Sequence, residues 1–418
     1  MKKLIYLLVI MSLPAYAGNY SSPPDLPAID AVSLALNSTP TVRAAKANLG
    51  VEVANNDRLR AGNYETAILL NTQQRHTIAP EPDYRYTEWD VALERTLRLP
   101  NKARLDAQLG EQGINQSHYV LGDALHESGR MLLTSWFNWV REFYQVRQWQ
   151  SHVEGLKSQL DAVNRRVRAG DAARLDQLQA KAALAIAQAQ FADAELRLST
   201  AKNELNRRFP AIRLPAEPIL PQPELVAEPL EVWQQRSMAH NHELAIAHGE
   251  TLRYRTMLAR SEADKTPDPS VGVRFANERG GEEKIIGVYL SIPFAGGARL
   301  AVARMAAANQ LVASELEAGV RTKVETDTAN TWLATQSAYG AWQASAAASA
   351  AMHQHADLVT RAYHLGESGL TDVLNARRLA QEADLNAINS RLAAAQARYR
   401  LLLDTHALWP IDADEEGA

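Results

Sequence analysis

An internal repeat constrains this chain more than any other feature of its sequence. Residues 165–180 (RRVRAGDAARLDQLQA) and residues 361–376 (RAYHLGESGLTDVLNA) share Arg, Gly, Asp, Leu and Ala at one constant offset of 196 positions. A long Ala-rich run of helical character precedes each copy, and another follows it. Because self-similarity at a fixed spacing indicates a duplicated structural unit, the sequence predicts two copies of one assembly built on long helices.

The N-terminus has the composition of a secretory signal. Two lysines precede an apolar run at residues 4–13, and Ala15 and Ala17 supply the small residues that a signal peptidase recognises. We therefore predict a signal peptide at residues 1–17, with the mature protein beginning near Gly18. The apolar run is too short to cross a hydrocarbon core of about 30 Å, and no longer apolar stretch follows it. The sequence does not predict an α-helical membrane protein.

Composition excludes several classes of function. The chain has no cysteine, which rules out disulfides, thiolate metal sites, Cys nucleophiles and a lipid-anchored N-terminal Cys. Its formal net charge of −4 provides no basic field for nucleic acid. The phosphate-binding loop, the G-x-S-x-G turn and the H-E-x-x-H helix are all missing from the sequence. We predict a protein that is not an enzyme, needs no cofactor and binds no nucleic acid.

Hydrophobic periodicity predicts the same order of elements in both halves: helix, two strands, a long helix, a turn at a glycine and a second helix. In the first half these elements are predicted at 29–61 (with a break at Pro40), 64–71, 86–97, 101–168 and 171–209. In the second half they are predicted at 230–264, 270–277, 284–292, 298–363 and 371–407. Six prolines exclude regular structure in the segment between the halves. The predicted organisation is a first repeat at 18–209, a Pro-rich linker at 210–229, a second repeat at 230–409 and an acidic tail at 410–418.

The two helices on either side of each glycine are predicted to form antiparallel hairpins. Gly170 and Gly366 are the expected turn residues, since glycine adopts the left-handed conformation without steric cost. In the helix after Gly170, small and apolar residues alternate at spacings of three and four, which is typical of a coiled-coil seam. The members of that seam are Leu175, Leu178, Ala182, Ala185, Ala189, Ala192, Leu196 and Ser199. The last helix repeats the spacing through Leu385, Ile388, Leu392, Ala395, Tyr399 and Leu402.

The predicted strands alternate apolar and polar residues, as at Ile286, Val288 and Leu290. This alternation is typical of outer-membrane strands, but it fits equally well a small soluble sheet with one covered face. Sheets in lipid must close so that no edge is exposed, and single-chain barrels need about eight strands or more. Four strands in one chain could therefore span a membrane only if several chains pooled them.

Element order, helix length and the residues at the second turn together resemble the TolC-like family of outer-membrane efflux proteins. The family motif resembles Y-x-x-G-x-x-x-x-x-D-V-L-x-A, which is matched here by Tyr363, Gly366, Asp372, Val373, Leu374 and Ala376. The resemblance implies a mainly α fold with a small β part, in which a homotrimer forms a twelve-stranded β-barrel in outer-membrane lipid. That barrel would be continuous with a twelve-helix α-barrel in the periplasm of a Gram-negative bacterium.

The same resemblance implies a function and its partners. Such proteins are passive exit ducts of tripartite efflux systems, joined by a periplasmic adaptor (membrane fusion) protein to an inner-membrane pump, here expected to be of the RND type. Residues 97–104 (LRLPNKAR) resemble the L-P-G-K-R-like turn of cobalt-zinc-cadmium efflux members, although Asn101 replaces the glycine and Ala103 interrupts the basic pair. Heavy-metal cations are therefore the expected substrate. A duct for drug efflux or type I protein secretion is an alternative, and a periplasmic α-hairpin adaptor is a further one, although adaptors carry one hairpin rather than two.

The resemblance also assigns site residues at the hairpin turns, where the family has its periplasmic entrance. Asp372 matches an aspartate of the narrowest ring, and Asn375 stands where the family has a second aspartate. Asp176 and Gln179 hold the corresponding places in the first copy. Three copies of Asp372 around one axis would favour cations, although Asp176 and Asp372 would equally suit a capping role at the helix start. Gly170 and Gly366 would shape the tips on which the adaptor docks.

Histidines form two clusters in the sequence, one at 240, 242 and 248 and the other at 353 and 355. Residues two apart on a helix point in different directions, and no thiolate or carboxylate completes a ligand set in either cluster. No metal site is predicted from them.

Overall fold

A computed structural model of the 418-residue chain describes residues 22–77 and 84–409. The predicted signal peptide at 1–17 and the acidic tail at 410–418 lie outside the described residues. Within the described ranges the elements follow one another as α1 (Ile29–Asn37), α2 (Pro40–Ala61), β1 (Thr66–Thr77), β2 (Tyr84–Thr96), α3 (Pro100–Ala169), α4 (Arg174–Arg208), α5 (Leu230–His240), α6 (His242–Ala263), β3 (Ser270–Glu278), β4 (Glu283–Ser291), α7 (Gly297–Leu365) and α8 (Leu370–Asp404). A short 3₁₀ turn at Arg279–Gly281 joins β3 to β4.

The two halves of this series repeat each other in order and length. Helices α3 and α7 contain 70 and 69 residues, while α4 and α8 contain 35 residues each. At 1.5 Å per residue the two longest helices extend over about 100 Å. Each long helix packs against the shorter helix that follows its glycine turn, so the chain contains two long antiparallel hairpins. The mainly α fold with a small β part that the sequence predicted is confirmed.

Capping side chains mark the starts of α2 and α6. The predicted break at Pro40 is confirmed, because Thr39 has an extended backbone and its Oγ1 accepts a hydrogen bond from the Val42 N–H at 3.4 Å. The single helix predicted at 230–264 is wrong. The chain is extended at Asn241, with φ −74° and ψ 115°, and the Asn241 side chain accepts from the Leu244 N–H at 2.8 Å. An asparagine cap therefore starts a second helix there without any proline or glycine to signal it.

The four strands form one antiparallel sheet in the order β1-β2-β3-β4. Strands β1 and β2 come from the first half of the chain and β3 and β4 from the second, so the β2–β3 ladder joins the two halves. Leu93, for example, is opposite Val273. Strand β1 runs to Thr77 rather than ending at the predicted Asn71, because β2 supplies partners for the polar residues 72–77.

The two faces of the sheet differ sharply in chemistry. On one face the register aligns Ile68, Leu70, Trp89, Val91, Leu93, Val271, Val273, Phe275, Ile286, Val288 and Leu290. Much of this face is open, with Val288 83% exposed and Ile286 78% exposed. Charged and polar side chains occupy the opposite face. An apolar surface of this extent marks a contact with lipid or with another protein.

The main core lies where α3 and α8 meet the two ends of the described chain. Leu132, Phe137 and Leu392 are almost completely buried there, together with Trp409 from the last described residues. The first described residues are held in the same place, since Trp136 donates a hydrogen bond from Nε1 to the Asp25 carbonyl at 2.9 Å. Over the part of the chain that the structure describes, no helix is both long and apolar enough to cross a membrane.

The Pro-rich segment between the halves lies along the helices as an extended strap. Tyr144 of α3 donates its hydroxyl to the Pro218 carbonyl at 2.6 Å, and Arg391 of α8 donates to the Pro221 carbonyl at 2.7 Å. Further along, Gln336 of α7 donates to the Val226 carbonyl at 2.6 Å. Hydrogen bonds from three helices thus satisfy backbone groups that proline-rich chain cannot pair in a helix or a sheet.

The seam predicted on α4 is not the face that packs within one chain. Leu175, Leu178 and Leu196 are 62%, 64% and 65% exposed. The buried residues recur every seven positions instead, at Ala180, Ala187, Ala194 and Ala201. A row of alanines lets α4 approach α3 closely, and the larger apolar residues of the predicted seam are left on the outside. On α8 the prediction was better, since Leu392, Ala395 and Tyr399 of that seam are buried.

Candidate functional site

Each hairpin turns at a glycine in the left-handed conformation, with φ +86° at Gly170 and φ +83° at Gly366. The Gly366 N–H donates to the Tyr363 carbonyl at 3.1 Å, and the next N–H donates to the Ala362 carbonyl at 2.9 Å. The same pair of hydrogen bonds closes the first turn. A Cβ at either glycine would meet no atom within 4 Å, so the backbone conformation, not a lack of space, requires glycine.

Most residues of the motif at the second turn are packing residues. Tyr363, Val373 and Ala376 are 8%, 0% and 2% exposed. Tyr363 and Val373 belong to one apolar cluster with Val163 and Ala180 from the first hairpin. The motif therefore holds the two hairpin ends side by side, which places both turns at the same end of the molecule.

Asp372 caps the helix that it begins. Its Oδ2 accepts hydrogen bonds from the Gly369 N–H at 3.1 Å and from the Ser368 hydroxyl at 3.0 Å. The residue is exposed to solvent. A carboxylate at this position satisfies backbone donors and also interacts favourably with the positive end of the helix dipole.

The other predicted entrance residues lie at the same end of the molecule. Gln179 of α4 accepts a hydrogen bond at Oε1 from the Thr371 hydroxyl at 3.2 Å, so it reaches the residue next to Asp372. Asn375 lies one helical turn further along α8 and is exposed, while Asp176 lies half-buried in the first turn of α4. These four polar residues are thus distributed over the first two turns of two adjacent helices.

At the other end, the polar face of the sheet is built from ion pairs and hydrogen bonds. Glu88 is almost completely buried, and its carboxylate lies 3.0 Å from Nε of Arg75. Tyr289 projects from this face and donates its hydroxyl to Glu94 at 2.8 Å. Its ring occupies the space above Gly272, where an added Cβ would lie 2.4 Å from the ring. One face of the sheet is therefore suited to water and the other to an apolar environment.

A charged cluster that sequence reasoning missed lies between the sheet and the long helices. Lys102, in the first turn of α3, is completely buried, and its Nζ lies 3.1 Å from carboxylate oxygens of both Asp264 and Asp268. Arg260 reaches across to Asp106, with 2.6 Å between Nε and Oδ1. The cluster connects the start of α3 with the end of α6 and the approach to β3. Lys102 belongs to the phrase LPNKAR, but nothing local in the sequence indicates that position 102 meets positions 264 and 268.

The carboxylates of Asp264 and Asp268 are held in the charged form. Burial alone would raise the pKa of Asp268, but hydrogen bonds from the Leu99 N–H and from Lys102 outweigh it and hold that pKa below its ordinary value. Asp264 is also partly buried, and hydrogen bonds from Arg260 and Lys102 lower its pKa in the same way. Asp264 and Asp268 therefore face Lys102 as carboxylates.

At the break between α5 and α6, two histidines of the first sequence cluster meet a histidine from another part of the chain. Because the chain is extended at Asn241, His240 and His242 both approach His406, with ring centroids 5.6 Å and 5.1 Å from it. His126 of α3 stacks on His406 at 5.3 Å with 17° between the ring planes. As these side chains lie, no three His, Asp or Glu residues in the described ranges have the spacing of a metal site.

No family profile and no curated protein matches the sequence. Solved structures match over nearly the whole chain. A membrane protein from Pseudomonas aeruginosa has a TM-score of 0.79 at 16% identity, covering 93% of this chain and 92% of that one. The CmeC outer membrane channel from Campylobacter jejuni has a TM-score of 0.73 at 13% identity, covering 91% and 85%. The open state of the MtrE outer membrane channel from Neisseria gonorrhoeae has a TM-score of 0.70 at 18% identity, covering 93% and 90%.

Proposed function

The chain has the fold of the TolC-like outer-membrane channels, and on that premise we propose that it is the outer-membrane exit duct of a tripartite efflux system in a Gram-negative bacterium. The duct conducts substrate passively from an inner-membrane pump to the exterior. The observation that carries this proposal is the sheet, with its exposed apolar face, its charged opposite face and its two open edges.

The open edges require more than one copy of the chain. Within the described residues β1 and β4 each have a partner strand on one side alone. In lipid such edges would leave backbone donors and acceptors unsatisfied, which costs several kcal/mol for each group. Three copies that pair β4 of one with β1 of the next would close a barrel of twelve strands. Its apolar face would contact lipid, and the face that carries Glu88 and Glu94 would line the water-filled channel.

The helices support a homotrimer by the same reasoning. The outward stripe on α4 includes Leu178, Ile186 and Leu196, each more than 60% exposed, and α7 exposes Leu311 and Leu316 to a similar degree. Large apolar side chains left exposed on long helices favour packing against further helices. Twelve helices from three copies would extend the barrel into a periplasmic tube, with Pro-rich strap segments on its wall.

The hairpin ends form the proposed entrance. In a trimer Asp372 contributes three carboxylates around one axis, and their mutual repulsion is relieved by cations or by widening of the ring. Asn375 adds a polar amide one turn further on, and Asp176 with Gln179 does so from the first hairpin. The turns at Gly170 and Gly366 are then the surface on which a periplasmic adaptor docks.

Heavy-metal cations are the proposed substrate, and an RND-type pump is the proposed inner-membrane partner. Support comes from the acidic residues at the entrance and from the likeness of residues 97–104 to the turn of cobalt-zinc-cadmium efflux proteins. Expression in a strain that lacks its own outer-membrane duct provides the test. Restored tolerance to zinc, cobalt or cadmium salts supports the assignment, whereas restored tolerance to organic drugs alone replaces it with drug efflux.

Single-channel conductance in planar bilayers tests the duct itself. The detergent-purified protein is compared with Asp372→Asn, which removes the charge but keeps a side-chain oxygen for the Gly369 N–H. Asp30→Asn is the matched control, because Asp30 also lies in the first turn of a helix but far from the hairpin ends. We expect small cation-selective currents that divalent cations block, with the block relieved in Asp372→Asn and retained in Asp30→Asn.

The other outcomes separate the parts of this proposal. Failure to insert into bilayers would exclude the channel and favour a protein that works in the periplasm. Insertion with an Asp372→Asn variant that behaves like the wild type would leave the channel in place. Asp372 would then be a helix cap and nothing more.

A further inference from the structure

A cavity of about 580 Å³ lies between the two hairpins, in the half of the hairpins that carries their turns. Helices α3, α4 and α8 surround it, so its walls come from both hairpins. Most of the lining is apolar and includes Trp149 and Leu156 from α3, Ile186 and Ala187 from α4, and Leu374 from α8. This volume and this lining are typical of cavities that bind small organic molecules.

One buried polar group at this cavity lacks a partner. Gln381 of α8 is 7% exposed, and its Nε2 has no hydrogen-bond partner among the described residues. A buried donor that is left unpaired destabilises the folded state, so native structures keep very few of them. A leucine of similar size would avoid that cost. The unpaired amide therefore indicates that a molecule with a hydrogen-bond acceptor occupies the space in front of it.

A second polar group without a partner faces the same space. His152 of α3 lines this cavity together with Gln381, and both also line a smaller cavity of about 320 Å³ that α7 borders. The His152 ring is half-buried and contacts Trp149 edge-on, with the ring centroids 5.9 Å apart, but it forms no hydrogen bond with any described residue. Burial, and then the charge of Arg377, lower the pKa of His152, so its ring is neutral at pH 7. A neutral imidazole offers one donor nitrogen and one acceptor nitrogen.

The charged residues of the lining neutralise each other. Arg378 forms an ion pair with Glu382 and also donates from Nη2 to Asn375 Oδ1 at 3.0 Å. Among the described residues, no other Asp, Glu, Lys or Arg borders the larger cavity. An ion would lose its hydration in such a space without gaining an opposite charge, so the cavity fits an uncharged ligand.

We propose that this cavity binds an uncharged organic molecule with an apolar ring system and a carboxamide-like polar end. The ring system packs against Trp149 and the aliphatic side chains of α4. The carbonyl oxygen of the polar end accepts a hydrogen bond from Gln381 Nε2, and its N–H donates to the acceptor nitrogen of His152. Such a molecule contacts α4 and α8 at once and links the two hairpins near Asp372. This binding activity goes beyond the proposed duct function and does not depend on it.

Calorimetric titration of the purified full-length protein in detergent with 2-naphthamide tests the proposal. Gln381→Leu removes the donor at nearly constant volume, and Ala183→Phe fills the cavity that Ala183 lines. Gln396→Leu is the matched control, because Gln396 is half-buried on the same helix but lines neither cavity. We expect about one bound molecule per chain, with affinity at least about fivefold weaker in Gln381→Leu, lost in Ala183→Phe and unchanged in Gln396→Leu. Partition of the probe into micelles is the same for every variant and cancels in these comparisons.

Two further measurements keep the result clear. In thermal unfolding, Gln381→Leu should melt no lower than the wild type because it removes an unpaired buried group, so its loss of affinity cannot come from unfolding. The charged analogue 2-naphthoate should bind at least about tenfold more weakly than 2-naphthamide.

The proposal is overturned if 2-naphthamide shows no saturable binding, the result expected if a helix of a neighbouring copy fills the cavity. It is also overturned if Gln381→Leu binds as the wild type does, if Gln396→Leu weakens binding equally, or if 2-naphthoate binds more tightly.

Discussion

Replacing Lys102 by methionine tests whether the buried charged cluster fixes the sheet to the helices. The substitution keeps most of the side-chain volume but leaves Asp264 and Asp268 without the ammonium group that lies 3.1 Å from each of them. Removing one member of a buried ion pair costs about 3–5 kcal/mol, because a charge is left uncompensated in a dry site.

Two details of the structure place the expected loss at the lower end of that range. Asp264 keeps its contact with Arg260 and is 39% exposed, so solvent screens much of its charge. Asp268 is only 13% exposed but keeps the hydrogen bond from the Leu99 N–H at 3.0 Å. We therefore expect Lys102→Met to reduce local stability by about 3 kcal/mol.

Amide hydrogen exchange of the purified protein measures this loss where it occurs. A change of about 3 kcal/mol corresponds to a fall of about two orders of magnitude in protection, expected in the first turn of α3 and at the start of β3. Lys157→Met is the matched control, since Lys157 is exposed on the same helix. The double variant Lys102→Met with Asp268→Asn should recover part of the loss, because it removes the uncompensated charge. A fall in protection below about tenfold, about 1.4 kcal/mol, would refute the reasoning.

Three further predictions follow from the described contacts. Gly366→Ala should lower the free energy of unfolding by about 1 kcal/mol or more, because alanine disfavours the left-handed backbone of that turn. Gly155→Ala, within α3, should raise it by about 1 kcal/mol because alanine favours a helix. The melting temperature measures both changes. Burial lowers the pKa of His126 to about 3, so below pH of about 6.5 the unfolded chain binds a proton that the folded chain does not. The free energy of unfolding should therefore fall by up to about 1.4 kcal/mol per pH unit as the pH drops below that value. His126→Asn should flatten this dependence when unfolding is measured against pH. Tyr399→Phe removes the hydrogen bond of 2.8 Å to the Asp25 carboxylate and should cost about 1.5–3 kcal/mol, seen as faster proteolysis of the N-terminal segment.

Features that depend on local backbone chemistry were predictable from the sequence. Gly170 and Gly366 are required by their φ angles, and the breaks at Pro40 and at both turns lie where proline and glycine predict them. The long helices were predicted to within a few residues, because neither proline nor competing strand patterns interrupt them. The capping role of Asp372 was also predictable from local chemistry, since a carboxylate in the first turn of a helix has unpaired backbone N–H donors beside it.

Features that depend on distant contacts were not predictable in this way. Alternating small residues marked a seam on α4, but periodicity alone could not show that the alanines at 180 and 187 face α3 while the leucines of the seam face outward. The approach of Lys102 to Asp264 and Asp268 depends on how α6 meets α3. The approach of His240 and His242 to His406 depends on the extended residue Asn241, whose capping role is evident only from the new helix that begins at His242.

The β2–β3 ladder implies an order in which this molecule assembles. Each helical hairpin is closed by a turn of a few residues, whereas the partners in β2 and β3 are about 180 positions apart along the chain. Closing so long a loop is slow, so the hairpins should form first and the central ladder late. Until that ladder forms, β1–β2 and β3–β4 are two separate strand pairs, and isolated pairs of this kind are marginally stable in water. The last event in folding should therefore be the one that creates the complete apolar surface, which keeps that surface out of water for most of the process.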